Sequence, residues 1–474
     1  MPRKPSLTQK SRSWNRRDFL KVTGAGLVLP TILPGCASEK PRHTRASNRI
    51  VVGIIGYGMQ GTGNTKNFLF NDECQVVAVC DLDKGHLNTG IADINDHYEN
   101  KDCKGYSDYR ELLARDDIDA VMIAVPDQWH ELVASEAARR GKDIYGEKPL
   151  ARTIAEQQAI VKAVQKHKII WQTGSWQRSQ IHFHKAAEIV RNGLIGTVTH
   201  VEVGLPSGYT DFAKTVPALL TKLGRTDGSQ EYLTKVVPGT PDWDTAVTSV
   251  PTELDFETWI GPSKMEPYIE ARVHRNWRWN YNTGGGQLLD WVGHHCDIAH
   301  WGLGFDNSGP SEIEGHGEFP DPKALWNTSP KYRIELKYPN GISMTIADKD
   351  SGIVRGGVKW IGTDGWVWVD RDSKFEGSNP EWKTYKSLPE GLRKIKLYES
   401  RDHTGNFIDC VKSRKPTITP VETAHHSAIP GHLGLISMLT GRKIRWNVQH
   451  EKIIDDPGAS KMMVRDYRSP WKIT

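Results

Sequence analysis

The chain has 474 residues, of which 62 are Lys or Arg and 57 are Asp or Glu, giving a net charge of +5. The first 49 residues carry 11 of the basic and only 2 of the acidic side chains, so the rest has 51 bases against 55 acids, a net charge of about −4. This balance excludes nucleic-acid binding driven by charge. The roughly 425 residues after this segment exceed what one core usually organises, so two domains are expected.

The amino-terminal segment has the features of an export signal. Arg16 and Arg17, in the run RRDFLK, resemble a twin-arginine signal and precede an apolar stretch from Val22 to Leu33. That stretch is shorter than the about 20 residues needed to span a bilayer, but it suits the apolar part of a signal sequence. We therefore predict a twin-arginine-type signal over residues 1–37.

Cys36 lies near the end of this signal, in the run LPGC, which resembles a lipoprotein processing site. Lipid attachment there and plain cleavage after Ala37 are both open, and a disordered basic tail is the alternative to a signal. A linker over 38–49 follows. We expect a periplasmic protein, either free or anchored, whose membrane contact comes only from export or such a lipid.

From residue 50 to about 172, short strand patterns alternate with helical ones, which predicts a doubly wound parallel sheet with helices on both faces. The first strand runs into a G-x-G-x-x-G turn, Gly56-Tyr57-Gly58-Met59-Gln60-Gly61. Gly56 permits the tight turn, Gly58 lets the backbone approach a pyrophosphate, and Gly61 lets helix and strand pack closely.

Asp81 ends the second predicted strand, 20 residues beyond Gly61. An acid at this point accepts hydrogen bonds from a ribose 2′-OH and repels a 2′-phosphate, so NAD is favoured over NADP. The strand, the glycine turn and the acid together predict a dinucleotide-binding Rossmann domain over 50–172.

Two further strand ends of this domain carry candidate ligands of the cofactor. Pro126, Trp129 and His130 follow one predicted strand and are placed to line the nicotinamide side of the cleft. Glu147 and Lys148 follow the next, and a Lys there can hydrogen-bond a substrate hydroxyl and ease the loss of its proton. The alternatives are an ordinary strand-to-helix turn and a surface lysine before a proline.

Beyond residue 173 the pattern changes to alternating strands separated by Gly, Asn and Asp turns. The tripeptides Pro339-Asn340-Gly341 and Thr363-Asp364-Gly365 are typical of hairpins. We predict an α+β domain with an open, mostly antiparallel sheet over 173–445 and a C-terminal extension over 446–474. The irregular stretch from 206 to 267 is too long for a simple connection and indicates a functional insertion.

The run Gly284–Asp297 contains three glycines followed by a helical pattern. Asp290 and His294 stand four residues apart, which predicts that they share a helix face. A carboxylate beside an imidazole orients it and stabilises its protonated form, which is how a general base for an alcohol is built. A zinc site formed with His295 and His300 is disfavoured because adjacent histidines point about 100° apart on a helix, so we predict no metal.

Tryptophans are frequent beyond residue 240, and the chain has 17 in all. Trp277 and Trp279 alternate with Arg and Asn just before the glycine run. Aromatic faces suit the C–H faces of sugars, and the mixture with donors favours a polyol ligand, although core packing is the commoner role of any single Trp. We predict that the substrate contacts Arg178, Trp277, Trp279, Asp290 and His294.

These motifs resemble the Gfo/Idh/MocA oxidoreductases, which include glucose–fructose oxidoreductase and inositol dehydrogenase. The resemblance covers essentially everything after residue 49 and rests on the glycine turn, Asp81, the PDxxH and EKP motifs and the Gly284 run, in family order. It implies a catalytic triad of Lys148, Asp290 and His294, with His294 taking a hydroxyl proton as hydride passes between a sugar-type secondary alcohol and nicotinamide. It also implies a homo-oligomer, a dimer or tetramer.

The predicted export constrains how the cofactor is used. Because no free NAD pool is expected outside the cytoplasm, the enzyme should hold NAD tightly and regenerate it within each cycle. Three functions are compatible: an NAD(P)-dependent oxidoreductase acting on sugars, a redox-neutral glycoside hydrolase working through a transient keto-sugar, and a non-catalytic periplasmic protein that binds a sugar or nucleotide. The complete set of Lys148, Asp290 and His294 argues against the last.

Overall fold

A computed structural model describes residues 49–208, 247–320 and 324–474. The predicted signal and nearly all of the linker lie outside the described residues, as does the central part of the long irregular stretch. Within the three described ranges, no helix is both long enough and apolar enough to cross a membrane.

The first part of the described chain alternates strands and helices. The strands are β1 (Ile50–Ile55), β2 (Cys74–Cys80), β3 (Lys104–Tyr106), β4 (Ala120–Ile123), β5 (Asp143–Gly146) and β6 (Trp171–Thr173). The helices are α1 (Met59–Leu69), α2 (Lys84–Tyr98), α3 (Tyr109–Leu113), α4 (His130–Arg139) and α5 (Ile154–His167). All six strands are parallel, in the order β3-β2-β1-β4-β5-β6, which confirms the predicted doubly wound sheet.

Local sequence explains why these elements form. Strand β1 reads IVVGII and is almost wholly buried, as expected for a parallel strand covered on both faces. Helix α5 begins at a capping box, because the Thr153 hydroxyl accepts from the Glu156 N–H and the Glu156 carboxylate accepts from the Thr153 N–H. The carboxyl ends of the strands therefore meet at one edge, where ligands of such sheets bind.

The second part contains a larger sheet. Its strands are β7 (Val198–Leu205), β8 (Glu312–Glu318), β9 (Lys331–Lys337), β10 (Ser343–Asp348), β11 (Gly357–Gly362), β12 (Trp366–Asp370), β13 (Lys374–Gly377), β14 (Ile444–Asn447) and β15 (Lys452–Ile453). The order is β13-β12-β11-β7-β10-β9-β8-β14-β15, and every neighbouring pair is antiparallel except β7 with β10. The predicted hairpins at Gly341 and Gly365 join β9 to β10 and β11 to β12.

Helices cover one face of this sheet. The helices of this part are α6 (Ile181–Arg191), α7 (Phe256–Ile260), α8 (Gly286–Trp291), α9 (Asp297–Leu303), α10 (Glu381–Thr384), α11 (His403–Ser413), α12 (Val421–Thr440) and α13 (Pro457–Lys461). Among them, α6, α9 and α12 pack on the large sheet. Strand β9 shows the alternation, since Tyr332, Ile334 and Leu336 are buried while Lys331 and Lys337 are exposed. The sheet is therefore open on its outer face, as predicted.

Residues late in the chain complete the core of the first sheet. Phe407 of α11 packs edge-to-face on Phe68 and on Tyr145, with ring centroids 6.1 and 5.8 Å apart. Val421 and Ala424, at the start of α12, belong to the apolar core on the other face of the same sheet. The cofactor domain predicted over 50–172 thus shares its two cores with residues from beyond position 400.

Candidate active site

The turn between β1 and α1 is shaped by its glycines. Gly56 has a left-handed φ of +93°, and a Cβ added there would lie 2.5 Å from the carbonyl oxygen of Ala124. Nothing lies within 4 Å of the Cβ position of Gly58, so a ligand can approach the backbone there. No side chain caps the first turn of α1, which leaves its N–H groups available to an anion.

Asp81 lies at the carboxyl end of β2 and is hydrogen-bonded to this turn. Its Oδ2 accepts from the backbone N–H of Tyr57 at 2.7 Å, and its Oδ1 accepts from that of Asp83 at 2.9 Å. Burial raises the pKa of the Asp81 carboxyl, while His86 and the two N–H donors oppose the rise. The position suited to a ribose is therefore fixed by the turn suited to the phosphates.

A cavity of about 260 Å³ runs along the carboxyl ends of β1, β2, β4 and β5. It is lined by most of the predicted cofactor-binding residues, namely Gly56, Gly58, Met59, Gln60, Asp81, Pro126, Trp129, Glu147 and Lys148. Tyr57, Gly61 and His130 are not among its lining residues. The Tyr57 side chain is buried and donates its hydroxyl to Asp93, and Gly61 contacts the Gly56 carbonyl by close helix–strand packing.

His130 is a structural residue of the turn after β4. Its imidazole is buried, with Nδ1 2.7 Å from the carbonyl oxygen of Pro149 and Nε2 2.9 Å from that of Val125. Both ring nitrogens are therefore occupied by backbone. We correct the sequence expectation accordingly: His130 shapes the wall of the cleft from behind and does not present its ring to a cofactor.

The opposite wall of the cavity comes from residues 252–278, which we call the cover segment. Its backbone pairs with the turn that follows β2. The Asp255 N–H donates to the carbonyl oxygen of Leu82 at 3.1 Å, and the Lys84 N–H donates to that of Glu253 at 2.9 Å. These bonds hold the cover segment across the end of the cavity where Asp81 lies.

Aromatic side chains fasten the cover segment further along the cleft. The indole N–H of Trp129 donates to the carbonyl oxygen of Trp259 at 2.9 Å. Trp471, close to the end of the described chain, packs edge-to-face on Trp129 with ring centroids 4.8 Å apart and also lines the cavity. Arg468 donates through Nε to the carbonyl oxygen of Gly261 at 2.9 Å. Two distant parts of the chain therefore close over the cavity.

Lys148 lines the inner end of the cavity and contacts Asp290 behind it; Asp290 and His294 are not themselves among the lining residues. Lys148 follows β5 and precedes a cis peptide bond to Pro149. Its Nζ donates to Oδ1 of Asp290 at 2.7 Å, and Nε of Arg278 approaches the same oxygen at 3.3 Å. Burial favours a raised pKa for Asp290, but Lys148 and Arg278 outweigh it and lower the pKa to about 2. This carboxylate is ionised and shared by two cations.

His294 lies beyond Asp290, but the helix between them is irregular. A π-helical turn over Val292–Cys296 separates α8 from α9. The Asp290 carboxylate bonds to Lys148 and Arg278, whereas Nδ1 of His294 is buried and has no hydrogen-bond partner among the described residues. The predicted Asp290–His294 pair is therefore not formed.

The charge state of His294 also differs from the expectation. Burial lowers the pKa of its imidazole well below 6.5, and Lys148, Arg371 and His295 lower it further. The ring is neutral at pH 7 because burial and these neighbouring groups disfavour its protonated form. A neutral imidazole is able to accept a proton, so the geometry permits the general-base role by a different route from the one the sequence suggested.

Asp127 is an unusual neighbour of this cluster. It is 3% exposed, and its Oδ1 has no hydrogen-bond partner within the described parts of the chain. Burial raises the pKa of Asp127 to about 7, and the negative charge of Asp290 adds to the rise. A second carboxyl therefore sits near Asp290 in a form that is largely protonated below neutral pH.

Arg178 was predicted to contact substrate, and the structure corrects this. Its side chain is 2% exposed. The guanidinium donates to Asp297 through Nε at 2.8 Å and to Asp306 through Nη2 at 2.7 Å. Its positive charge is therefore balanced by these two carboxylates of the second domain. Of the two predicted tryptophans, Trp277 lines the cavity, whereas Trp279 is buried against Trp326.

Sequence reasoning missed the surroundings of His294. The imidazole ring lies 5.4 Å from the ring of Trp291 and 6.3 Å from that of Trp176, centroid to centroid. The guanidinium of Arg371 stacks on the same two rings, at 4.2 and 4.8 Å. Arg278 belongs to the Arg–Trp cluster that the sequence did single out. Arg371 had no comparable signal beyond its place directly after strand β12.

Three described side chains lie close enough together to hold a metal ion, and the sequence analysis did not predict a site formed by them. Ligand atoms of Asp83, His86 and His274 all lie within 4.8 Å of one another, at the cavity end near the cover segment. The two histidines considered for a zinc site, His295 and His300, have other partners. His295 meets a backbone carbonyl at 3.0 Å, and His300 meets a tyrosine hydroxyl at 2.7 Å.

Comparison with known families agrees with this architecture. Residues 50–175 match the oxidoreductase family, NAD-binding Rossmann fold, and residues 240–473 match the oxidoreductase family, C-terminal alpha/beta domain. Fold and cleft thus define an NAD-binding oxidoreductase. The chain belongs to the Gfo/Idh/MocA family.

Similar proteins with curated descriptions include a glycosyl hydrolase family 109 protein from Shewanella pealeana, 30% identical over 208 residues. The match covers 40% of this chain and 45% of that protein, so it spans less than half of each. Among solved structures, the aldose-aldose oxidoreductase from Caulobacter crescentus complexed with glycerol is 16% identical with a TM-score of 0.57, covering 84% of this chain and 99% of that one. The WlbA dehydrogenase from Bordetella pertussis, in complex with NADH and UDP-GlcNAcA, is 16% identical with a TM-score of 0.58, covering 84% and 98%. At these identities the likeness concerns the fold.

Proposed function

We propose that this protein transfers a hydride between a secondary alcohol of a sugar or sugar derivative and a nicotinamide cofactor that it holds throughout its cycle. The observation that carries the proposal is the 2.7 Å bond from Lys148 to an ionised Asp290, with a neutral His294 nearby, at the inner end of a dinucleotide-shaped cleft. Removal of a hydride from an alcohol requires a group that takes the hydroxyl proton, and the cluster offers one.

The residues divide the work by their charge. Asp290 fixes the Lys148 ammonium, so that its remaining N–H bonds can point at a substrate oxygen and favour the deprotonated form. His294 accepts the hydroxyl proton, because burial and the nearby cations keep its ring neutral. Arg278 adds a second cation near the oxygen that becomes negative. The nicotinamide, when bound, supplies the hydride acceptor.

The cleft fits NAD by its own features. Open space at Gly58 and an uncapped first turn of α1 suit a pyrophosphate, and Asp81 at the end of β2 suits a ribose with a free 2′-OH. A 2′-phosphate would face the same carboxylate, so NADP is the less favoured cofactor. Pro126 and Lys148 lie at the opposite end of the cavity, where they would hold the nicotinamide.

We further propose that the cofactor is retained and that the protein is exported with it. The cover segment and Trp471 close over the cavity, which supports slow release of a bound dinucleotide. Arg16 and Arg17 support twin-arginine export of the folded protein into the periplasm, with Cys36 as a possible lipid attachment point. The open outer face of the large sheet supports a homo-oligomer.

A second function, redox-neutral cleavage of glycosides, is favoured by one observation. The curated relatives described as glycosyl hydrolase family 109 proteins share about 30% identity with part of this chain. In such a reaction a sugar carbon is oxidised to a ketone, the neighbouring C–H loses its proton, and the aglycone leaves as a C–C double bond forms. Water then adds to that double bond, and the hydride taken up in the first step reduces the ketone again. No net redox change results, which suits an enzyme without access to free NAD.

Purified protein distinguishes these functions without added cofactor. Denaturing extraction followed by mass spectrometry should release about one dinucleotide per chain. Release of aglycone from a chromogenic glycoside by the protein alone, lost in Lys148→Ala, would establish the glycosidase. A keto-sugar accompanied by one equivalent of reduced bound cofactor would establish the oxidoreductase. Absence of either product and of any dinucleotide would leave the non-catalytic function and refute both enzymatic ones.

A further inference from the structure

Arg371 differs from the other arginines that stack on tryptophan. Four arginines of the described residues do so, and three of them also pair with a carboxylate: Arg178 with Asp297, Arg278 with Asp290, and Arg355 with Glu376. Arg371 stacks on two rings yet forms no ion pair with any described carboxylate. Its Nε is buried without a hydrogen-bond partner in the same set of residues.

The neighbouring acids are already engaged. Asp370 accepts a hydrogen bond from the backbone N–H of Arg371 at 2.8 Å and lies 3.5 Å from Nε2 of His295, and Asp372 lies 3.4 Å from Nζ of Lys374. Both carboxylates stabilise the charge of Arg371 without forming an ion pair with it. Asp290 is shared by Lys148 and Arg278. Of the three cations near the reactive cluster, Lys148 and Arg278 are hydrogen-bonded to Asp290, and Arg371 is not. Arg371 is partly buried, so an anion on a ligand that displaced water from its guanidinium would form a charge-assisted pair there.

The position of Arg371 says where that anion would be. Trp176 and Trp291 each contact both the Arg371 guanidinium and the ring of His294. Stacking fixes the plane of the guanidinium and leaves its N–H edge for a bidentate oxyanion. The same rings suit the C–H face of a sugar. The anionic group and the oxidised carbon would therefore belong to the same sugar ring.

We propose that the substrate is an anionic sugar, bearing a carboxylate or a sulfate ester, and that Arg371 binds that group. The inference rests on the proposed function, since it takes His294 as the base beside which the sugar lies. It deepens that function by adding a charge requirement. Neutral sugars are then poorer substrates, because they offer the Arg371 guanidinium no anionic partner.

The test compares matched glycosides on full-length protein with its bound cofactor. The probes are 4-nitrophenyl glucoside, glucuronide and glucoside 6-sulfate, each in both anomeric forms. We expect kcat/KM for one anionic member to exceed that of the neutral glucoside by at least about tenfold. Preference for the glucuronide identifies a carboxylate, and preference for the sulfated sugar identifies a sulfate ester. Equal rates, or a faster neutral glucoside, would overturn the inference while leaving the proposed function intact.

Variants assign the effect to Arg371. Arg371→Gln should lower kcat/KM for the anionic glycoside about 100-fold and change the neutral one by less than threefold, since truncating one partner of a buried charge pair has an effect of this order. Arg371→Lys keeps the positive charge but loses the planar guanidinium that donates two parallel hydrogen bonds, so kcat/KM for the anionic glycoside should fall about tenfold. Arg355→Gln, an exposed stacked arginine of the same sheet, is the matched control and should leave both rates unchanged. An equal fall for both glycosides in Arg371→Gln would contradict the assignment.

Binding separates this inference from the function on which it rests. Calorimetric titration with free D-glucuronate and with D-glucose needs no turnover. Wild-type protein should bind glucuronate more tightly, and Arg371→Gln should lose that difference. If no glycoside is turned over but the binding difference persists, the proposed function fails and the anion site stands. If wild-type protein binds glucuronate and glucose equally well, Arg371 does not bind a sugar carboxylate. The same titration with glucose 6-sulfate then tests whether it binds a sulfate ester.

Discussion

Two neighbouring regions of the site differ in whether their polar and charged side chains have partners. In the paired region, Lys148, Arg278 and Asp290 balance one another through bonds of 2.7 and 3.3 Å. In the unpaired region, Arg371 and His294 each have a buried nitrogen atom without a partner among the described residues. The first is organised before any ligand arrives, whereas the second is completed only by one. Preorganised charge suits the chemical step, and unsatisfied charge suits recognition.

The largest effect is expected from breaking the paired region. Lys148→Met should lower the rate of hydride transfer to the bound cofactor about 10³-fold, because it removes a donor at the reacting oxygen and leaves Asp290 with Arg278 alone. Stopped-flow absorbance of the reduced nicotinamide measures the rate. Lys104→Met, at an exposed lysine of β3, is the control for loss of a charge. A fall of less than tenfold would show that Lys148 does not act on the reacting oxygen.

His294 tests the unpaired region through its pH dependence. His294→Gln should lower kcat/KM about 10²-fold by removing the proton acceptor. Because burial and nearby cations lower the pKa of His294 in the folded protein, the wild-type ring stays deprotonated below pH 6.5, and the acidic limb of the rate profile should lie below that value. Lys148→Met should move the residual limb upward, since Lys148 is one of those cations. A wild-type limb at pH 6.5 or above would contradict the geometry.

Asp127 tests the cost of a buried group without a partner. Its folded pKa of about 7 lies above the about 3.9 of an unfolded aspartate, so its contribution to stability is complete at low pH and is lost as pH rises toward 7. The slope in that window is about 1.4 kcal/mol per pH unit. Asp127→Asn removes this titration. Between pH 5 and 6.5 the free energy of unfolding should therefore fall about 2 kcal/mol less in the variant than in wild type, and parallel curves would contradict this.

The smallest effect is expected outside both regions. Trp471→Ala should speed release of the bound dinucleotide about tenfold, because it removes a ring that packs on Trp129 over the cavity, while hydride transfer changes less than twofold. Retention after extended dialysis measures release. Ile473→Ala, at an exposed neighbour in the same tail, is the control. Equal retention in wild type and Trp471→Ala would show that the tail does not hold the cofactor.

The paired region and the cofactor cleft were largely predictable because their signals are local. The glycine turn, Asp81 and Lys148 each follow a strand that the sequence shows plainly, and parallel strands bring such ends to one edge. The cover segment was not predictable in this way, since its backbone pairs with a turn about 170 residues earlier in the chain, as in the bond from Lys84 to Glu253.

The unpaired region shows why other predictions went astray. Helical periodicity placed Asp290 and His294 on one face, but a π-helical turn re-aims the imidazole, and nothing in the local sequence announces it. Arg178 was predicted to contact the substrate, but Asp297 and Asp306, more than 100 residues later in the chain, neutralise its positive charge. No sequence motif marks Arg371, because its proposed role depends on the lack of an ion-pair partner among the described residues, which the local sequence does not reveal.

The sharing of cores between early and late parts of the chain affects how this protein comes to be made. Strands β1 to β6 emerge first during synthesis, yet Phe407, Val421 and Ala424 seal the apolar faces of that sheet. A nascent chain ending before residue 403 would carry every glycine of the dinucleotide turn and still expose both sides of its first sheet. A stop codon shortly before residue 403 would therefore weaken the dinucleotide-binding domain although all of its own strands had been made.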